Sequence, residues 1–194
     1  MSLLPLIAGL VLFLGVHSTR IFGEGFRTAQ IARFGPNGWK GLYSVASIAG
    51  FVLLVWGYGV ARQQPTVLWA SPAGLRHLAA PLTLIAFILL VAAYVPGNGI
   101  KARLHHPMVL GVKVWALAHL LANNTLADLL LFGGFLVWAV LSFRAARARD
   151  RAAGTVYPAG SIAMTLLAVA LGAAAWAAFA FWAHAAWIGV RPFG

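Results

Sequence analysis

Six apolar segments, separated by short polar connections, constrain this chain more than any other feature. They cover residues 3–19, 42–61, 75–95, 107–122, 126–143 and 162–188. A helix needs about 20 apolar residues to cross the roughly 30 Å core of a bilayer. Only 9% of the residues are charged, against roughly 25% in soluble proteins. The pattern predicts an all-α, polytopic integral membrane helix bundle of about six transmembrane helices, forming one domain over residues 1–194, with the lipid bilayer as its partner.

The connections predict how the helices are oriented. Most basic residues lie in the first, third and fifth connections, whereas Arg62, Arg76 and Arg191 lie on the opposite side. Because basic connections stay in the cytoplasm, both termini are predicted to be periplasmic. The first segment lacks the basic start and the cleavage site of a secretory signal, so we expect it to be the first span. This placement explains the net charge of +11 as a topology signal and argues against nucleic acid as a partner.

Two connections differ in character. The first, residues 20–41, places arginines between apolar residues such as Phe22 and Phe26. Its apolar spacing fits a helical stripe only loosely, so we favour a lipid-facing connector over an interfacial helix. In the third connection, Gly97 and Gly99 allow close backbone approach and Arg103 supplies charge. That connection is predicted to cradle an anion.

The stretch PGNGIKARLHHPMVLGVKVWALAHLLANN, residues 96–124, places several ionisable groups in an apolar setting. Such groups are costly in a membrane and therefore mark a candidate site. Pro107 fits the first position of a helix, which makes His106 its cap residue, near the positive end of the helix. An anionic group bound there would also meet Arg103. Lys113 shares a face with His106 and would either reach that group or extend to the cytoplasmic surface.

The six histidines are candidate metal or haem ligands, because neutral imidazole binds iron, zinc and copper. The chain has no cysteine, which excludes thiolate sites. His106 and His119 are separated by about 20 Å of helical rise, so they cannot both bind one iron. Trp115 precedes His119 by one helical turn and is expected to stack on it. Trp138 is expected to be a packing residue or the wall of a substrate cavity.

The run HPMVLGVKVWALAHLLANNTLADLLLFGG, residues 106–134, resembles the signature of the NnrU family. Shorter runs resemble the same family along nearly the whole chain: VHSTRI, WKGLYSVAS, LRHLAAPL and HAAWIGVRP. These are bacterial membrane proteins associated with denitrification, and the plant ζ-carotene cis–trans isomerase is related to them. The resemblance implies a multi-pass protein of the bacterial inner membrane.

The resemblance also implies a haem-binding protein. In the isomerase branch two histidines hold a b-type haem, and the matching positions here are His17 and His119, with His106 as a third shared histidine. Arg103, Lys113 and Trp115 are then further candidates for the cofactor site. An isomerase of this type would use reduced iron to act on a hydrophobic small molecule, a polyene, without net redox change.

Helix order leaves the choice of histidine pair open. In a six-span arrangement His17 lies near the cytoplasmic end of its span and His119 near the outer end. Depth alone would pair His17 with His106, or His119 with His77 or His184. The lead pair, His17 and His119, therefore rests on the resemblance.

Two other functions remain open on sequence grounds. The stretch PGNGIKARLHHPMVLG also resembles the S-adenosylmethionine-binding region of membrane methyltransferases that act on isoprenylcysteine or phospholipids. In that pattern His105 replaces an arginine and Val109 replaces a tyrosine, and no acidic pair follows in the last span. The third interpretation is a non-enzymatic membrane factor that supports the assembly or regulation of nitrite and nitric oxide reductases.

Overall fold

The computed structural model describes residues 3–70 and 72–192, except for the side chains of Ala73 and Arg76. All the regular structure in this part is helical, apart from two isolated β-bridges. The helices are α1 (Leu4–His17), α2 (Thr19–Phe22), α3 (Glu24–Ala61), α4 (Ala73–Tyr94), α5 (Gly99–Leu104), α6 (Pro107–Ala122), α7 (Leu126–Ala152), α8 (Ile162–Ala178), a π-helical turn (Phe179–Ala183) and α9 (His184–Ile188). Each of the six apolar segments lies in helix, which confirms the all-α prediction.

Four helical stretches are long and apolar enough to cross a membrane: Glu24–Ala61, His77–Tyr94, Leu126–Ala152 and Ile162–Ile188. Two apolar helices, Leu4–His17 and Pro107–Ala122, are shorter. Helices satisfy their backbone hydrogen bonds internally, which is what a bilayer requires. The protein is therefore an integral membrane protein, and the count of six spans and the periplasmic termini stay predictions.

The chain folds as two compact units, each of which is described by itself. The first comprises Met1–Ala70 and Asn123–Ala146, and the second Ser71–Ala122 and Arg147–Gly194, within the described residues. The last residues of α7 thus belong to the second unit. The single domain over residues 1–194 stays a prediction.

In the first unit, α1 and α3 pack at very close range because glycines remove the side chains between them. An added Cβ at Gly57 would lie 2.3 Å from the backbone nitrogen of Leu6, and one at Gly50 would lie 2.7 Å from that of Phe13. On α1 itself, a Cβ at Gly9 would lie 2.4 Å from the backbone nitrogen of Leu54. Small residues permit such close helix contacts in membranes.

Within α3, the segment predicted to be a connector is helical. Gly35 interrupts the helix with a φ of 73° and a ψ of 166°, and Pro36 follows it. Residues 24–34 therefore form a helix of their own before the apolar part of α3. Its phenylalanines are exposed, with Phe26 at 58% and Phe34 at 45%, and Arg27 bonds Glu24 at 2.7 Å.

The start of α7 buries the carboxylate of Asp128 in the first unit. The carboxylate accepts hydrogen bonds from the Tyr58 hydroxyl at 2.5 Å and from the Thr125 hydroxyl at 2.6 Å. The backbone N–H groups of Thr125 and Asp128 bond each other's side chains at 3.1 and 3.2 Å, which is a capping box. Asp128 therefore caps this helix and ties it to α3.

In the second unit, α4 packs against both α6 and α8. Cβ atoms added at Gly111 on α6 and Gly172 on α8 would approach Ala86 O and Ile88 Cα of α4 to 3.0 and 2.6 Å. The Trp176 indole donates to the Thr83 hydroxyl at 3.0 Å, which links α8 to α4. These contacts hold α6 and the loop before it in place.

Candidate functional site

His17 is the last residue of α1 and lies among aromatic rings of the first unit. Its Nδ1 bonds the carbonyl of Phe13 at 2.7 Å. A carbonyl can only accept, so Nδ1 carries the proton and Nε2 holds the lone pair of the neutral ring. The ring lies 4.2 Å from Phe13, 5.3 Å from Tyr43 and 6.1 Å from Trp138, between centroids. This bond orients the imidazole as second-shell bonds orient metal ligands.

His119, in the second unit, is held in the same way. Its Nδ1 bonds the Trp115 carbonyl at 2.9 Å, and the centroids of the two rings lie 5.1 Å apart with 50° between their planes. The predicted contact between Trp115 and His119 is therefore present. His184 also bonds a carbonyl through Nδ1, that of Val190 at 2.7 Å. Each of these rings presents Nε2 as the basic nitrogen.

Two backbone donors of the loop before α6 bond within the chain, and the anion cradle that the sequence favours stays a prediction. The N–H of Gly99 donates to the Thr165 hydroxyl at 2.8 Å, and that of Lys101 to Asn98 Oδ1 at 2.8 Å. Asn98 is 2% exposed, and its amide donates to the carbonyls of Ala92 and Val95. Asn98 thus caps α5 and fixes the loop.

His105 lies at the centre of a strained turn between α5 and α6. Its φ is 67° and its ψ is −50°, and it is the one non-glycine residue with positive φ in the described part of the chain. The N–H of His106 donates to the Leu104 carbonyl at 2.8 Å across this turn. The geometry is that of a γ-turn of the rare, strained kind. Pro107 then begins α6, and the N–H of Leu110 donates to the His106 carbonyl at 3.2 Å, so His106 lies at the cap position that the sequence predicts.

This turn brings both histidines to the C-terminal end of α7, where they form what we call the polar cluster: His105, His106, Arg147, Asp150 and Tyr157. His106 Nε2 donates to Asp150 Oδ2 at 2.7 Å, and the Tyr157 hydroxyl donates to the same oxygen at 3.1 Å. The His105 and Tyr157 rings stack at 4.1 Å with 8° between their planes. Arg147 donates to Nδ1 of His105 and lies 3.9 Å from Asp150.

The polar cluster is partly exposed, and it places the negative charge of Asp150 beside His106 and Arg147. The side chains of His106 and Asp150 are 22% and 16% exposed. Partial burial, with the hydrogen bond to Asp150 and its negative charge, raises the pKa of the Tyr157 hydroxyl above its ordinary value. Tyr157 therefore remains a hydrogen-bond donor at neutral pH. Since Nε2 of His106 donates to a carboxylate, its neutral ring differs in tautomer from those of His17 and His119.

The predicted site residues are distributed between the two units. His17 belongs to the first unit, and the others belong to the second: Arg103, His106, Lys113, Trp115 and His119. Arg103 is exposed near the end of α5, and Lys113 is half-buried on α6. Within the second unit, contacts join Trp115 to His119 and His106 to the polar cluster.

Three partners of the histidine turn were missed at the sequence level: Arg147, Asp150 and Tyr157. They follow His106 by more than 40 residues, so no local spacing connects them. The scarcity of acidic residues is the one available signal. With only three in the chain, each acidic residue inside a basic region is expected to have a specific partner.

No group of three or more histidine, aspartate or glutamate side chains in the described part is arranged to hold a metal ion. A haem iron, in contrast, takes axial ligands from only two side chains. No curated protein and no solved structure matches the chain significantly. A family model described as NnrU protein matches residues 5–192, nearly the whole chain. The chain therefore belongs to the NnrU family.

Proposed function

We propose that this NnrU-family protein binds b-type haem in the bacterial inner membrane, with His17 and His119 as the iron ligands. The observation that carries the proposal is the tautomer of these two rings. In both, Nδ1 donates to the carbonyl four residues earlier, so that in the neutral ring the lone pair is on Nε2, the nitrogen that would bind the iron. Neutral imidazole with one ring nitrogen held in this way is the usual state of a haem or metal ligand.

The choice of His119 over His106 has a separate basis. His106 uses Nε2 to bond Asp150, and its ring orientation is fixed by the polar cluster. His119 instead lies within an apolar helix against Trp115, which suits a ligand of a hydrophobic cofactor. Arg103, Lys113 and His106 are proposed to bind anionic groups of the cofactor or to stabilise the cytoplasmic end of α6.

Bound haem would supply a redox-active iron, either for cis–trans isomerisation of a polyene or for nitrite and nitric oxide metabolism. The chain itself contributes ligand orientation and an apolar, aromatic setting around each imidazole. Such a setting excludes water and tunes the iron through burial and axial ligation. A hydrophobic substrate would reach this setting from the bilayer.

The haem content and visible spectrum of purified variants test the proposal. We expect wild-type protein to contain haem, and His17→Ala and His119→Ala to lose most of it or to lose the low-spin spectrum. Added imidazole should restore that spectrum, because it replaces the missing ligand. His184→Ala is the matched control and should keep the wild-type spectrum, because His184 also bonds a carbonyl through Nδ1 but has no proposed contact with the cofactor.

Three results would overturn the proposal or its ligand pair. Wild-type haem in His119→Ala would exclude His119. Loss of the low-spin spectrum in His106→Ala, restored by added imidazole, would favour the pair of His17 and His106. A wild-type protein without haem would exclude haem binding altogether. In that case, binding of S-adenosylmethionine would indicate the methyltransferase type, and the absence of both ligands would indicate an assembly or regulatory factor.

A further inference from the structure

Two buried polar atoms of the first unit have no hydrogen-bond partner. They are Ser47 Oγ and Trp138 Nε1, which among the described side chains are the only buried nitrogen or oxygen atoms that make no hydrogen bond of normal geometry. The Ser47 hydroxyl still has the Tyr43 hydroxyl as a neighbour, so the unmet requirement is that of Trp138. An indole N–H can only donate, so Trp138 requires an acceptor. Leaving such a group buried and unpaired costs free energy, and native structures rarely do so. The position of these two atoms therefore indicates where an acceptor is needed.

Both atoms lie on helix faces that pack toward the His17 end of α1. On α7, the Trp138 ring lies edge-on to His17 at 6.1 Å, and Phe135, one turn earlier, lies 5.8 Å from Phe13. On α3, Ser47 lies between Tyr43, which contacts His17, and Gly50, which contacts Phe13. Residues three and four apart share one face of a helix. The two donors therefore border the same end of α1.

The chain's own carboxylates are not the acceptor. Glu24 bonds Arg27 at 2.7 Å, and Asp150 bonds His106 and Tyr157 in the second unit. Asp128 bonds Tyr58 and Thr125 at the other end of α7, about 15 Å of helical rise from Trp138. Because the described side chains and backbone offer Trp138 no partner, its acceptor would be a bound molecule or an ordered water.

We propose that the Trp138 indole donates a hydrogen bond to a carboxylate oxygen of the group that His17 binds, with the Ser47 hydroxyl as a second donor. This inference rests on the proposed function, since the peripheral hydrogen-bond acceptors of b-type haem are its two propionate carboxylates. Hydrogen bonds to a charged acceptor are about twice as strong as neutral ones. Trp138 and Ser47 thereby bind and orient the cofactor, and His17 binds its iron.

A thermodynamic cycle in which the protein residue and the ligand's carboxylates are each changed tests this hydrogen bond. Wild type and Trp138→Phe are each loaded with haem and with haem dimethyl ester, which lacks the carboxylate charge. The rate at which each ligand passes to an excess of a haem-scavenging protein is then measured. Esterification should accelerate ligand release about tenfold more in wild type than in Trp138→Phe, because only wild type has the indole donor. The propionate bending mode in resonance Raman spectra should also shift in Trp138→Phe.

Trp182→Phe is the matched control, since Trp182 is 65% exposed and should show the wild-type ester effect. Equal ester effects in wild type and Trp138→Phe would overturn the inference, leave haem binding intact, and indicate an ordered water on the indole. A wild-type protein without haem would instead overturn the proposed function. If Trp138→Phe does not fold, Ser47→Ala takes its place in the cycle. A severalfold smaller ester effect than in wild type would then support the inference, and an unchanged effect would overturn it.

Discussion

At the scale of single residues, the backbone of His105 shows how one strained position organises a cluster. A γ-turn with positive φ is costly for a residue with a Cβ. Here the turn places the His105 ring on Tyr157 and the His106 ring on Asp150 at the same time. The contacts of the polar cluster therefore offset the strain of the turn.

Two substitutions at His105 separate backbone strain from ring contacts. Both His105→Gly and His105→Ala remove the ring, but only glycine adopts this turn without a Cβ penalty. We expect His105→Gly to be more stable than His105→Ala by about 1–2 kcal/mol, measured by unfolding in mixed micelles. At Leu104, the last residue of α5, the order should reverse because alanine is the better helix former. Equal stabilities at His105 would contradict the strain.

At the scale of elements, glycines decide which helices touch. Gly50 and Gly57 lie two turns apart on α3, and Gly9 faces them from α1. The backbones approach so closely that a methyl group on Gly57 would collide with main-chain atoms, which cannot rotate away. The position of His17, at the end of α1, therefore depends on how α1 and α3 pack along their whole length.

Gly57→Ala should destabilise the first unit by about 1–3 kcal/mol, since the two helices must move apart. The control is Gly59→Ala on the same helix, where no atom lies within 4 Å of an added Cβ. That substitution should be neutral or slightly stabilising, because alanine favours helix over glycine. Unfolding by sodium dodecyl sulfate, followed by circular dichroism, measures both. A Gly57→Ala protein as stable as the Gly59→Ala protein would refute the close packing.

At the scale of the whole molecule, the charge distribution governs insertion. The basic residues concentrate in three of the connections, among them the end of α7 with Arg144, Arg147, Arg149 and Arg151. Positively charged connections are retained in the cytoplasm during insertion. The polar cluster, which includes Arg147, is therefore expected at the cytoplasmic surface.

Reporter fusions test this orientation. Alkaline phosphatase fused after the C-terminal residue should be active, because that enzyme folds in the periplasm, and green fluorescent protein at the same position should be dark. Fusions after Gly154, in the connection that follows α7, should show the opposite pattern. Fluorescence from the C-terminal fusion would contradict this orientation, because it would place the C-terminus in the cytoplasm. With an even number of spans, the N-terminus would then lie there too.

Local physics explains what could be predicted from the residues alone. Apolar segments form helices in a bilayer because a helix makes all of its backbone hydrogen bonds within the segment, and lipid offers no other partner. The cap position of His106 and the contact of Trp115 with His119 involve residues that are at most one helical turn apart. The family, too, is carried by contiguous runs. Each of these depends on residues close together in the chain.

Contacts between distant segments were decided only by the tertiary structure. Tyr58 and Asp128 are 70 residues apart, and His106 and Asp150 are 44 apart. Trp138 was expected to be packing or a cavity wall, and its unpaired N–H beside His17 emerges only once α1, α3 and α7 are packed. Which helix faces meet depends on close approach at particular glycines and on one strained turn. Hydropathy carries no information about either, because it measures how readily a segment leaves water and not which neighbour it meets.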